Sequence, residues 1–303
     1  MNDGGPPLAT RSLDRCLACG SDRLRGLPLR YEYRGSFPLV ECRVCGMRFL
    51  RVQPVGEGLA SLYDTGYFES DFRCGRSESG YFSEEAFREE NRALLAAFEK
   101  LRAPGRLLEV GCAGGWLLKH AGERGWEAQG VELSAGAVEH ARALGLRVFH
   151  GDLLGAKLHP SFFDLVYLGD VLEHVPDCAA VLAEISRVLK PAGYVYLRGP
   201  ITTNSLARRI ALAASAIAKR EIVLREPPYH LWEFMPRSLR RLFGRSGLAV
   251  VSLAQSKIPP GQVHGRKTGF ERGAMRVLDT LNLPITRAFN VLGDRMVLVG
   301  QKR

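Results

Sequence analysis

From Arg106 onward the apolar positions switch repeatedly between two spacings. The runs Arg106–Val110, Glu127–Glu132, Arg147–His150, Phe163–Leu168 and Tyr194–Arg198 are short, apolar or alternating, and bounded by turn residues, which predicts strands. Between them, Gly115–Arg124, Ser134–Leu144 and Asp177–Leu189 carry apolar residues at helical spacing, and Lys190-Pro191-Ala192-Gly193 reads as a helix stop followed by a turn. A helix at Pro236–Ser246, a strand at Leu248–Leu253, a helical segment at Gly269–Leu292 interrupted at Pro284, and a final strand at Arg295–Gln301 follow. Strands alternating with helices predict an α/β, doubly wound, mostly parallel sheet.

The first hundred residues are patterned differently. Residues 1–15 are rich in Gly and Pro and read as a disordered leader. Residues 16–52 hold four of the seven cysteines and three β-like runs, Tyr31–Tyr33, Leu39–Glu41 and Arg48–Val52. Residues 53–103 form an aromatic connector in which Tyr63, Tyr67, Phe68, Tyr81 and Phe82 suit either a lid or core packing, followed by a helix at Glu84–Leu101. The remainder, 104–303, is the large domain, with helical insertions expected around 201–235 and 256–293.

The cysteines add chemistry to this picture. Cys16-x-x-Cys19-Gly and Cys42-x-x-Cys45-Gly are two knuckles 22 residues apart, a spacing that presents four thiolates to one tetrahedral, structural Zn²⁺. Cys74, Cys112 and Cys178 have no partner at ligand spacing and read as structural. The N-terminus lacks the apolar core of a signal peptide, and the longest apolar run, Ile210–Ala218, is too short to span a bilayer. These features imply a reducing, cytoplasmic setting, where paired cysteines mean metal.

Charge sharpens the reading of partners. Lys plus Arg is 42 against 32 for Asp plus Glu, a net +10, and between Pro236 and Arg276 nine basic residues face one acid, Glu271. A solvated face is the plain reading; attraction to an anionic acceptor or to the inner membrane surface is the sharper one. Ser205–Ala218 and Gly269–Leu292 would then act as an acceptor-site cover or as a peripheral membrane contact.

The strand ends carry the candidate chemistry. Glu109-Val110-Gly111-Cys112-Ala113-Gly114-Gly115 is a small-residue loop between strand and helix, where a ligand can approach backbone at the carboxyl edge of a sheet. Glu132-Leu133 closes the second strand, 21 residues after Gly111, and its carboxylate suits ribose hydroxyls. Asp152-Leu153 follows the third strand, and Gly169-Asp170 with Glu173-His174 follows the fourth.

The runs LLEVGCAGG, GVELS, GDL, FDLVYLGDVLEHVPD and EISRVLKPAGYVYL together resemble class I S-adenosylmethionine methyltransferases, over roughly Leu107–Leu197. The resemblance implies a Rossmann-like seven-stranded sheet. It places the methionine part of the donor on the first loop (Glu109, Gly111, Ala113, Gly115), ribose at Glu132 and adenine beside Asp152. Ala113 departs from the family, standing where its loop has a middle glycine. The cysteine region, with Cys45-Gly46-Met47-Arg48-Phe49 and the later Tyr67-Phe68, resembles a zinc-ribbon lead-in found before some bacterial methyltransferases of sugar, polysaccharide or secondary-metabolite pathways.

On the acceptor side, Pro228-Tyr229-His230-Leu231-Trp232-Glu233-Phe234 resembles a segment that closes over the acceptor in the same group. His230 is the candidate general base, and His174 either caps its helix or shapes the donor site. The expected acceptor is a small molecule or glycan, anionic or lipid-linked in the sharper version, modified at oxygen, nitrogen or carbon. RNA is the runner-up, since zinc ribbons suit nucleic acid, but Glu226-Pro227-Pro228-Tyr229 falls after the fifth strand, the wrong place for a base-methylating motif. A nicotinamide dehydrogenase fits poorly because Gly111-x-x-Gly114-Gly115 lacks Gly-x-Gly-x-x-Gly spacing. A non-catalytic interaction protein on the same scaffold is the remaining alternative.

Overall fold

A computed structural model describes residues 6–63, 83–258 and 269–303. The N-terminal part comprises β1 (Thr10–Ser12), β2 (Leu24–Glu32), β3 (Ser36–Cys42), β4 (Arg48–Leu50), β5 (Val52–Pro54) and a short helix α1 (Gly56–Ala60). Helix α2 (Glu85–Leu101) leads into β6 (Arg106–Val110), α3 (Trp116–Glu123), β7 (Glu127–Glu132), α4 (Ala135–Ala143), β8 (Arg147–His150) and β9 (Phe163–Gly169). Then come α5 (Cys178–Val188), β10 (Leu189–Pro200), α6 (Leu206–Ile217), β11 (Ile222–Leu224), β12 (Trp232–Glu233), α7 (Pro236–Arg245), β13 (Leu248–Ser256), α8 (Gly269–Phe289) and β14 (Arg295–Lys302).

The large sheet has seven strands in the order β13-β14-β10-β9-β6-β7-β8. The strands from β10 to β8 pair in parallel, while β14 runs antiparallel to both β10 and β13. The chain winds from β6 outward to β8 and then restarts at β9 on the other side of β6. This reversal opens a crevice at the carboxyl ends of β6 and β9, where such sheets bind ligands. Central strand β9 is buried at Phe163–Leu168, and its near-continuous apolar run follows from helices covering both faces. Helix α2 buries Leu94, Leu95 and Phe98 against Leu107, Trp126 and Tyr167.

A second sheet, of five strands, has the order β11-β2-β3-β4-β12. Its middle three strands come from the cysteine region, but β11 and β12 come from the segment after β10. The unit expected at 16–52 is therefore completed by residues 222–233, and one apolar cluster runs from Cys42, Met47 and Phe49 through Trp232 into Leu108, Val166 and Leu197 of the large sheet.

Three further expectations change. Strand β10 begins at Leu189 and takes in Lys190–Gly193 as an irregularity between Leu189 and Tyr194, where a helix stop and turn were expected. Of the leader read as disordered, residues 6–15 are placed: β1 pairs antiparallel with β5, and Leu8 is buried. Short-range composition could not show a strand partner forty residues away. Helix α8 also runs through Pro284 without interruption and stops at Phe289 rather than Leu292. Its end is set by Asn290, whose φ of +54° is left-handed, a stop that asparagine adopts more readily than most residues.

Candidate active site

The loop from β6 to α3 stands at the carboxyl end of β6. Gly111 has φ +73°, and a Cβ there would lie 2.5 Å from Val171 Cγ2, so both backbone and neighbour demand glycine. Gly115 has φ +85° and caps α3, with a Cβ position 2.6 Å from Leu146 Cδ1. Ala113 takes φ +50° despite its methyl group. Its amide donates to Glu132 Oε2 at 2.9 Å, and His140 Nδ1 donates to the Gly114 carbonyl at 2.9 Å.

Glu132 is buried at the end of β7, and its other oxygen accepts from the Ser134 amide at 2.9 Å. The carboxylate thus braces the loop against the start of α4. Because a carboxylate offers about four lone-pair directions, two backbone bonds leave capacity for a ligand hydroxyl. Leu133 beside it is 67% exposed, an apolar surface at the sheet edge. Asp152 is exposed and accepts from the Gly155 amide at 2.6 Å, whereas Leu153 is buried in the core beneath it. Glu109 is buried in β6, and Gly169 ends β9 where any side chain would collide with the Tyr167 hydroxyl. The crevice edge therefore gathers the residues singled out at the ends of β6, β7, β8 and β9.

Beyond the end of β9 lies a compact polar cluster. Asp170 has φ +56°, and its two carboxylate oxygens both accept from Arg295 Nη2, at 2.6 and 2.8 Å. Glu173 is buried, and His174 and His230 pack edge to face with ring centres 5.0 Å apart. His174 Nδ1 donates to the Tyr229 carbonyl at 3.0 Å. The helix after it is capped instead by Asp177, which accepts from the Ala179 and Ala180 amides, so the capping role considered for His174 is excluded. His230 Nδ1 lies 3.9 Å from Glu233, whose other oxygen accepts from the Thr202 hydroxyl at 2.6 Å.

Burial and charge divide protons unevenly within this cluster. Burial, with the nearby Asp170 charge, pushes the Glu173 carboxyl up to about 7. Burial and the neighbouring His230 pull His174 down to about 3, so its ring is neutral. Burial also pulls on His230, but contact with Glu233 and the charges of Glu173 and Asp170 outweigh it and raise the net value. One basic imidazole is thus held among carboxylates beside a neutral one.

Among the described residues, two groups of side chains could hold metal. The four thiols of Cys16, Cys19, Cys42 and Cys45 lie within 4.8 Å of one another, with Cys16–Cys45 and Cys19–Cys42 at 3.5 Å. The contact with Cys45 pushes Cys16 up, while Cys45 is pulled down to about 5. Four converging thiols of this kind suit a tetrahedral divalent ion, which stabilises all four as thiolates. Glu173, His174 and His230 also offer three ligand atoms within 4.8 Å.

Several residues here escaped the sequence reading. Arg295 meets Asp170 across 125 positions and nothing local marks it. Thr202 and Glu233 are likewise set by long-range folding, although Glu233 lies within the quoted His-containing run. Of the aromatic lid candidates, Tyr67, Phe68, Tyr81 and Phe82 lie outside the described residues, as does Cys74, and the side chain of Tyr63 is also outside.

A family model described as a methyltransferase domain matches residues 82–253, more than half of the chain. The chain belongs to this methyltransferase family. The methyltransferase is 32% identical over 172 residues to the ubiquinone biosynthesis O-methyltransferase of Methylococcus capsulatus, a match covering 52% of this chain and 70% of that protein. It is 31% identical over 162 residues to the protein of the same name from Thiobacillus denitrificans, covering 49% and 66%. In fold it is similar to an S-adenosylmethionine-dependent methyltransferase from Archaeoglobus fulgidus, with a TM-score of 0.50 and 18% identity over 73% of this chain and 95% of that one. It is therefore an S-adenosylmethionine-dependent methyltransferase preceded by a four-cysteine, zinc-ribbon-like module. Neither cysteine knuckle falls within the matched residues.

Proposed function

We propose that this methyltransferase modifies a hydroxyl oxygen of a small biosynthetic acceptor, with His230 as the general base. The observation that carries this reading is the half-buried, edge-to-face pairing of a basic His230 with a neutral His174 directly beyond β9. The names of the relatives support oxygen as the methylated atom and a small molecule as the acceptor. They do not favour the sugar or glycan form of the expectation over other small acceptors.

S-adenosylmethionine supplies, when bound, a sulfonium methyl group that needs only an aligned nucleophile and exclusion of water. We assign its amino-acid end to the loop at Glu109, Gly111, Ala113 and Gly115, ribose to Glu132, and adenine to Leu133 and Asp152. Leu153 and Gly169 shape this surface from beneath. Asp170, held by Arg295, and Glu173 set the charge around the histidines. His174 orients the 229–230 backbone through the Tyr229 carbonyl, and His230 removes the hydroxyl proton through the imidazole nitrogen facing away from Glu233. We also assign one structural Zn²⁺ to the four cysteines.

Turnover with labelled donor, on a panel of hydroxylated aromatic, sugar and nucleic-acid acceptors, tests the reading. Label should appear as an O-methyl group on a small molecule. Because His230 is raised above the ordinary 6.5, the rate should rise with pH through a limb above that value. Glu233→Gln removes a charge favouring the imidazolium and should shift the limb downward, while His230→Asn should lose at least about a hundredfold in kcat. Ribonuclease-sensitive label, or full activity of His230→Asn, overturns it.

We further propose that the acceptor is met at an anionic membrane surface, through α6 and α8. No helix among the described residues is long and apolar enough to cross a membrane, so this contact would be peripheral.

A further inference from the structure

We infer that the four-cysteine unit is the positioning frame of the acceptor side, with Gln53 and Arg48 as positioning residues for the segment 229–233. This frame holds the segment in place whether or not His230 acts as the base.

The connection begins at the metal-ligating turn. Cys42 ends β3, and Cys45 lies three residues before β4 begins, so the second knuckle is the turn of the β3–β4 hairpin. The outer edge of that hairpin carries the acceptor side: Trp232 pairs with Phe49 and Glu233 with Arg48. The Leu50 amide donates to the Leu231 carbonyl at 3.0 Å.

Gln53 of β5 reaches the same carbonyl. Its side chain is fully buried, its Nε2 donates to Leu231 O at 3.3 Å, and its Oε1 accepts from Arg11 Nη2 at 3.1 Å. Arg11 also donates to the Pro176 carbonyl. From the opposite side, the Leu231 and Trp232 amides donate to the Glu173 carbonyl at 2.9 and 3.2 Å, and Trp232 Nε1 donates to Val175 O at 2.7 Å. The residues following His230 are therefore gripped between the cysteine sheet and the loop that carries Glu173 and His174.

Arg48 performs the matching task at Glu233. Its buried guanidinium donates to Glu41 at 2.8 Å and to the Thr203 carbonyl at 2.7 Å, fixing the turn from which Thr202 donates to Glu233. Burying a glutamine amide and a guanidinium is unfavourable unless their polar atoms are used. Here Gln53 is used on the carbonyl next to His230, and Arg48 on the turn whose Thr202 holds Glu233. An apolar side chain of similar length would fill the same space without gripping it.

Hydrogen exchange read by mass spectrometry tests this on the full chain, with zinc content measured on each sample. In Gln53→Met, peptides covering 229–235 should exchange about tenfold faster. Peptides covering 107–118 should be unchanged, and affinity for S-adenosylhomocysteine should stay within about twofold. The His230 imidazole resonance, assigned by its loss in His230→Asn, should move while those of His140 and His150 stay. Zinc withdrawal by chelation should accelerate both 42–50 and 229–235. Unaltered exchange at 229–235 together with an unmoved His230 resonance in folded Gln53→Met overturns the inference. Unaltered exchange there after zinc loss overturns the metal's part in it. If Gln53→Met does not fold, Arg11→Gln cuts the link between Gln53 and Pro176 and is read on the same peptides: faster exchange at 229–235 supports the frame, and unaltered exchange overturns it.

Discussion

At Ala113 the loop holds an L-residue where its backbone asks for glycine. A left-handed conformation costs a residue with a Cβ about 1–2 kcal/mol, and the amide of Ala113 is kept there by Glu132. Ala113→Gly should therefore stabilise the folded chain by about 1 kcal/mol, with a melting rise of a few degrees in calorimetry. A loss of stability would mean that the methyl group makes compensating contacts. The small residues and strand-end acids of this loop were legible because each is demanded by a local constraint: positive φ at Gly111 and Gly115, a strand terminus at Glu132. Arg295 was not legible, because its reason for being where it is lies 125 residues earlier, at Asp170.

Among the elements, β6, β7 and β8 begin and end where the apolar runs do, since each is short and bracketed by turn residues. Strands β11 and β12 were missed: with three and two residues they have no period to read, and they exist only because β2 and β4 present unpaired edges. Helix α8 shows a third case. Its end depends on Asn290, which is left-handed and also donates from Nδ2 to the Leu253 carbonyl at 2.7 Å while accepting from the Gln255 amide. One side chain thus stops the helix and seals the neighbouring backbone of β13. Asn290→Ala removes both bonds and strains the stop, so denaturant unfolding should show a loss of about 2 kcal/mol. Asn290→Asp, which keeps the acceptor and tolerates the backbone, should lose less. Equal losses in the two variants would mean that the Gln255 bond contributes nothing.

At the scale of the whole molecule, the excess of positive charge and the arrangement of α6 and α8 point the same way. Helix α8 buries the polar Asn282 and Thr286 and turns Val277, Leu281, Ile285 and Phe289 outward, with Phe289 72% exposed. Helix α6 exposes Ile210 and Ile217, the latter at 84%. Helix α6 still packs Ala207 and Leu212 inward, but these two helices in contact each leave several large apolar side chains on the outside. Arg209, Lys219, Arg220 and Arg287 are exposed around them. An apolar face with a basic rim matches the boundary of an anionic bilayer, where each nearby basic residue contributes about 1 kcal/mol and each buried Ile or Phe about 1.5–3 kcal/mol. The protein should therefore float with vesicles containing phosphatidylglycerol at low salt, and less so as salt rises, because screening removes the basic contribution but not the apolar one. Ile217→Glu combined with Phe289→Glu should abolish flotation while leaving the circular dichroism spectrum and S-adenosylhomocysteine binding intact, since both side chains point away from the core. Vesicles of phosphatidylcholine alone should retain only a small fraction. If wild-type protein stays at the bottom of the gradient with anionic vesicles at low salt, the face does not bind membrane. Light scattering at rising concentration would then show whether a second copy of the chain covers it.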